Sequence, residues 1–134
     1  MSDEYRAMID YVNDIKDYNF HNGIKLTEMS ENYAECRVTL TKDSFNQQGY
    51  LHGGLLFSIC DVATGFAVSG NSRQCVTSGA SMSYLQAVGQ EHKYIRAVGI
   101  PIKVGKDIAS IEGSVYDDED NLVAKGTFIY CFLD

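Results

Sequence analysis

The chain has 134 residues, 45% of them apolar, and a formal charge of −7. That length suits one domain, and the apolar content excludes wholesale disorder. The acidic balance argues against nucleic acid as the main partner and against anionic lipid, because both require a basic footprint. An anionic ligand would therefore need a local basic patch or the amides at a helix N-terminus.

The N-terminal stretch carries Asp3 and Glu4 where a secretory signal has basic residues, and no unbroken apolar run follows. A cytoplasmic protein without a membrane segment is the expectation. Tyr5, Met8, Ile9, Val12 and Ile15 recur at helical spacing, which predicts a helix over about 3–17 with Ser2 or Asp3 as its cap. Asn22-Gly23 marks a turn, and residues 23–29 suit a strand. Residues 34–41 alternate strictly and predict a half-buried strand. A polar, glycine-containing loop over 44–54 leads into a nearly all-apolar helix at about 54–69, a composition that demands burial on every side.

Four strand-like runs follow, over 75–87, 93–104, 108–116 and 122–133. Pro101 predicts an edge or bulge position in the second. The acidic stretch 117–121 reads as a solvated hairpin tip between the last two. The whole is one α+β domain spanning 1–134, a long antiparallel sheet wrapped around a single apolar helix. Such a sheet leaves an edge and part of the helix uncovered in a lone subunit, so at least a homodimer is expected.

Between Asp43 and Arg73 the only formally charged residue is Asp61, in the middle of the apolar helix. Burying an unpaired carboxylate costs several kcal/mol, so an acid there is satisfied by backbone or hydroxyl donors, lies on a narrow exposed stripe, or is functional. Gly53 and Gly54 open the same helix, where free amides and the dipole favour negative charge and the missing side chains let a ligand approach. Such amides could hold the oxyanion formed on attack at a thioester carbonyl. Asp61 lies roughly seven residues further on, about 10 Å along the axis. One carbonyl cannot touch both groups. If both act on it, the acid must meet the glycine amides of a twin subunit, with the two helices antiparallel about a twofold axis.

The run from Asn46 through His52-Gly53-Gly54 to Asp61 strongly resembles the phenylacetate-degradation-type (PaaI-like) hotdog thioesterases. The similarity extends to Ser83-Tyr84-Leu85, Val104-Gly105-Lys106 and the closing 121–126 hairpin. The resemblance implies a hotdog fold, assembled as a homodimer or a dimer of dimers (homotetramer), and hydrolysis of acyl-CoA, with no cofactor beyond the coenzyme A of the substrate. It implies Asp61 as general base or nucleophile and the Gly53 N–H as oxyanion donor. Asn46 would orient thioester or water, and His52 would shape the loop or the site. A hydroxyl from the strand after the helix would assist the acid, Thr77 in preference to Ser78. Gly54 would line the substrate, and Lys103 and Lys106 would meet the CoA phosphates. Where many relatives carry an Arg-Pro turn, this chain reads Gln86-Ala87-Val88-Gly89, a departure on the CoA side.

The remaining chemistry-bearing residues suggest less. Cys36, Cys60, Cys75 and Cys131 have no metal-ligand spacing and read as reduced core residues. His21 and His92 read as solvated loop residues, and no metal is expected. Two rival readings are a hotdog hydratase or dehydratase, which would need a His–acid pair, and a non-catalytic acyl-CoA-binding protein.

Overall fold

A computed structural model of the chain describes residues 1–69 and 73–134. The elements run α1 (Asp3–Asn13), α2 (Tyr18–His21), β1 (Ile24–Ser30), β2 (Tyr33–Thr39), a 3₁₀ turn (Lys42–Ser44), α3 (Gly53–Ser69), β3 (Cys75–Tyr84), β4 (Tyr94–Val104), β5 (Ile108–Asp117) and β6 (Leu122–Phe132). The six strands form one sheet in the order β1-β2-β4-β5-β6-β3, antiparallel throughout. It wraps α3, the hotdog arrangement. Among the described residues no helix is long and apolar enough to cross a membrane.

The first helix ends earlier than its periodicity suggests. Asn13, the last residue of α1, brackets the backbone of Leu26 with its side chain, its Nδ2 donating to Leu26 O at 2.8 Å and its Oδ1 accepting from Leu26 N at 2.9 Å. Asp17 then caps a separate single turn, α2, by accepting from Phe20 N. His21 closes that turn rather than lying in a loop.

Why α3 sits where it does follows from a row of glycines. Gly99, Gly113 and Gly126 are direct partners across β4, β5 and β6, the first two beneath the helix and the third against Ser81 and Met82 of β3. A Cβ on Gly99 would stand 2.7 Å from the Ala63 carbonyl oxygen, and one on Gly113 would run into Cys60 Sγ. The helix answers with Cys60, Ala63, Thr64 and Ala67, all fully buried. Small residues on both sides let the helix lie directly on the sheet, which fixes the height and rotation of Asp61. The opposite face of α3 is not sealed: Leu55, Val62 and Phe66 are only partly buried, and Phe57 is exposed. The single chain thus leaves part of the helix uncovered, as the sequence pattern leads one to expect, since the sheet curls around only one side of it.

Two bulges bear on the sequence reading. Pro101 does mark an irregularity, a register shift between Pro101 and Lys103 in an interior strand. A second shift falls between Thr77 and Gly79, so Ser78 is the extra residue of β3. That strand is an outer edge of the sheet, with Val76 48% exposed and Tyr84 52%. The other edge, β1, is backed by α1.

The hairpin tip qualifies one expectation and corrects another. Asp117 is fully buried, accepting from the N–H groups of Glu119 and Asn121 and from the Asn121 side chain. His92 is buried against the same tip, its Nδ1–H donating to Asp118 Oδ1 at 2.6 Å, while Lys93 N donates to Asp118 Oδ2. The tip is thus a turn solvated at Glu119, Asp120 and Asn121 whose base, Asp117 and Asp118, forms a clasp that ties the β3–β4 connection to the β5–β6 hairpin. His92, Asp118 and Glu119 offer ligand atoms within 4.8 Å of one another, and the His92–Asp118 hydrogen bond accounts for that grouping.

The clasp should respond to pH. The hydrogen bond to Asp118, opposed by burial and reinforced by the charges of Asp117, Asp118 and Glu91, raises the His92 pKa above its ordinary 6.5. The bonds from His92 and Lys93 lower that of Asp118 below 3.8. Burial pushes Asp117 upward, but the Asn121 and Glu119 hydrogen bonds outweigh it and hold the group low. Stability from His92 is complete below pH 6.5 and is lost as pH rises through its folded value; that from Asp118 is complete above pH 3.8 and is lost on acidification. Thermal melts of His92→Gln against wild type should therefore show their widest Tm gap between these two values, narrowing toward alkaline pH. A gap that stays constant up to alkaline pH would dismiss the clasp.

Candidate functional site

The loop before α3 is built around its own polar side chains. Asn46 Oδ1 accepts from Gln48 N and Tyr50 N, and Asn46 N donates to Tyr50 O at 2.7 Å, closing a tight turn that needs positive φ at Gly49. His52 N donates to Ser44 O, and its Nδ1 accepts from Gly54 N–H at 2.8 Å. His52 thus caps the helix. Its ring holds an orphan amide, and the Gly54 N–H is consumed in the process. Among the described residues no acceptor reaches the N–H of Gly53, the first residue of α3. It is the free donor at the positive end of the helix dipole.

Asp61 stands on α3 two turns later, half-buried. Thr77 Oγ1 donates to Asp61 Oδ1 at 2.7 Å. Ser78, the bulged residue, instead turns its hydroxyl to Ile129 O. Tyr130 lies directly opposite Thr77 on β6, and its phenol meets Asp61 Oδ1 at 3.0 Å, the Asp61 carbonyl oxygen, and Thr64 Oγ1 at 2.8 Å. Burial drives the Tyr130 pKa far above its ordinary value, and the nearby Asp61 charge adds to this against the Thr64 hydrogen bond. The group stays a neutral phenol. Burial, then the Asp61 charge, pushes the Cys60 thiol up to about 12, which rules it out as a thiolate nucleophile near neutral pH.

Tyr130 and Thr64 were not legible as site residues. On β6, Phe128, Tyr130 and Phe132 share the buried face, so the tyrosine looks like one more core aromatic. The available signal was a single hydroxyl between two phenylalanines, which needs a hydrogen-bond partner when buried.

Acid and amide occupy different clefts. Asp61, Thr77, Tyr130, Phe66 and Val76 line one of about 290 Å³. Asn46, Gly53, Tyr84, Leu85 and Leu56 line another of about 380 Å³, and Gln86, Ala87 and Val88 form part of its wall. Lys103 and Lys106 line neither. Lys103 pairs with Ser110 on the row facing away from the buried Ala109 and Ile111, because the Pro101 bulge shifts its register, and Lys106 lies in the β4–β5 turn. Their phosphate role rests on the family resemblance alone.

Comparison with known proteins agrees with this architecture. The model of the thioesterase superfamily matches residues 48–124. A solved structure of a conserved protein from Pseudomonas aeruginosa superposes with a TM-score of 0.82 at 32% identity, covering 89% of this chain and 95% of that one. The PaaI protein of the Escherichia coli phenylacetic acid degradation operon superposes with a TM-score of 0.88 at 20% identity, covering 98% and 95%. In sequence the same organism's acyl-coenzyme A thioesterase PaaI is 31% identical over 64 residues, 48% of this chain and 46% of its own length.

Proposed function

Because the chain belongs to the thioesterase superfamily, we propose that it hydrolyses an acyl-CoA thioester to a free carboxylic acid and CoA, at sites each assembled from two copies. The observation that carries this reading is the separation of the two clefts. Among the described residues, one holds a carboxylate with hydroxyl donors but no amide of a helix N-terminus; the other holds the Gly53 N–H and Asn46 with no acid. Both belong to one continuous helix, so no bend within α3 can bring them together. A second copy, its α3 antiparallel and its β3 edge paired with the first, would unite the acid of each chain with the amide of the other.

In such a site the thioester carbonyl oxygen lies on the Gly53 N–H, which stabilises the oxyanion as the tetrahedral species forms. Asp61 takes a proton from water as the water oxygen bonds to the carbonyl carbon, and returns it to the CoA sulfur as the C–S bond breaks. Alternatively Asp61 attacks directly, CoA leaves, and water hydrolyses the mixed anhydride. Asn46 orients the thioester, and Gly54 leaves room for the His52 ring that holds its amide. The substrate carries the only coenzyme the reaction needs.

The deciding measurement is release of free thiol from a panel of aryl, medium-chain and hydroxylated acyl-CoA esters. Turnover on at least one class is the expected result. Hydration of crotonyl-CoA without CoA release would identify a hydratase instead. A tight acyl-CoA complex that never turns over would identify a binding protein.

A further inference from the structure

Asp61 presents its two oxygens unequally. Oδ1 accepts from Thr77 at 2.7 Å and lies 3.0 Å from the Tyr130 phenol, whose one proton is shared between Oδ1 and the closer Asp61 main-chain carbonyl. Among the described residues no donor reaches Oδ2. Thr77 and Tyr130 are a directly opposed cross-strand pair, so the sheet itself sets the spacing of the two hydroxyls. The Ser78 bulge allows this, re-aiming the exposed edge strand so that Thr77 turns toward α3. Tyr130 does more than Thr77. Its phenol is also within hydrogen-bond distance of the Asp61 backbone carbonyl and of Thr64 Oγ1, and Thr64 is itself bonded to Cys60 O at 2.9 Å. One buried phenol therefore touches main chain and side chain of the same aspartate, at the point where α3 rests on β6.

We infer that Tyr130 is a positioning residue that, with Thr77, fixes Asp61 Oδ1 and reserves Oδ2 as the atom that meets the reacting water or carbonyl carbon. The inference rests on the catalytic reading of Asp61 and adds which oxygen acts and what aims it. A carboxylate held by one oxygen loses rotation about its Cβ–Cγ bond, and Oδ2 then has a single direction in which to act. Because hydrogen bonds to a charged group are the stronger kind, removing either donor should cost a measurable share of turnover and little binding.

The test is a mutant cycle read in kcat and KM by thiol release. Tyr130→Phe keeps the ring and removes only the hydroxyl; it should lower kcat about tenfold with KM unchanged. Thr77→Val, on the exposed edge where folding is not at stake, should do the same, and it tests the claim even if the buried variant folds poorly. In an Asp61→Asn background Tyr130→Phe should change the residual rate by less than about twofold, because there is no longer a base to aim. A purely structural tyrosine would instead lower both backgrounds by the same factor, and that result overturns the inference. Wild-type kcat in Thr77→Val or in folded Tyr130→Phe overturns it too, while a crippled Asp61→Asn leaves the catalytic reading standing. Wild-type rates in Asp61→Asn itself would remove that reading first.

Discussion

Asp61→Asn should lower turnover on the best acyl-CoA ester by on the order of a hundredfold or more, the usual cost of losing a general base. The substitution changes charge and almost nothing else. The asparagine oxygen can still accept from Thr77 and Tyr130, and neighbours Cys60 and Thr64 keep their packing against Gly113 and Gly99. Tm should therefore stay close to that of wild type while kcat collapses, and that split between stability and rate carries the diagnosis. Among the described residues no other group is poised to take over: burial holds Cys60 and Cys75 as thiols and Tyr130 as a phenol, and the His52 that a second copy would bring alongside spends its Nδ1 on the Gly54 amide. Single-turnover hydrolysis in isotopically labelled water then separates the two routes, since direct attack leaves label in Asp61 and water activation does not. Wild-type rates in Asp61→Asn across the whole panel would take the reaction away from this residue.

What the sequence disclosed and what it hid divide along a physical line. Local signals carried well. The alternation of residues 34–41 matches β2, the apolar run matches α3 to within one residue, and a lone carboxylate in that run lies in a cleft. Thr77 rather than Ser78 reaches the acid, although nothing in the sequence shows the bulge that decides between them. The losses are long-range. Tyr130 reaches Asp61 only through the register of β6 against β3, 69 residues away in sequence. The acidic 117–121 stretch looks solvated throughout because composition cannot reveal that His92, 26 residues earlier, returns to Asp118. The row that Lys103 occupies is likewise hidden, because only the one-residue slip at Pro101 puts it on the outward side. Periodicity reports which face a residue occupies only until a bulge intervenes.

Hybrid dimers should recover activity that neither parent possesses. Gly53→Pro is the partner variant for Asp61→Asn. Gly53 is the first residue of α3, where proline's fixed φ suits the helix and the missing N–H breaks no helical bond. A Cβ there would stand 3.7 Å from the Tyr84 ring, an ordinary contact. The fold should hold while the oxyanion donor disappears, lowering kcat by roughly a hundredfold to a thousandfold. In a dimer whose sites each take Asp61 from one chain and Gly53 from the other, a hybrid of the two variants contains one doubly damaged site and one intact site. Random pairing makes half the dimers hybrid, so co-expressed chains should show about a quarter of wild-type activity from two nearly inactive parents. Purified through two different tags, the hybrid alone should reach about half. A site completed within one chain predicts no recovery, because every chain in the mixture lacks either its acid or its amide. Tagged hybrids as inactive as their parents would therefore put both groups to work in one subunit, which a single rigid α3 does not permit, or would remove one of them from the chemistry.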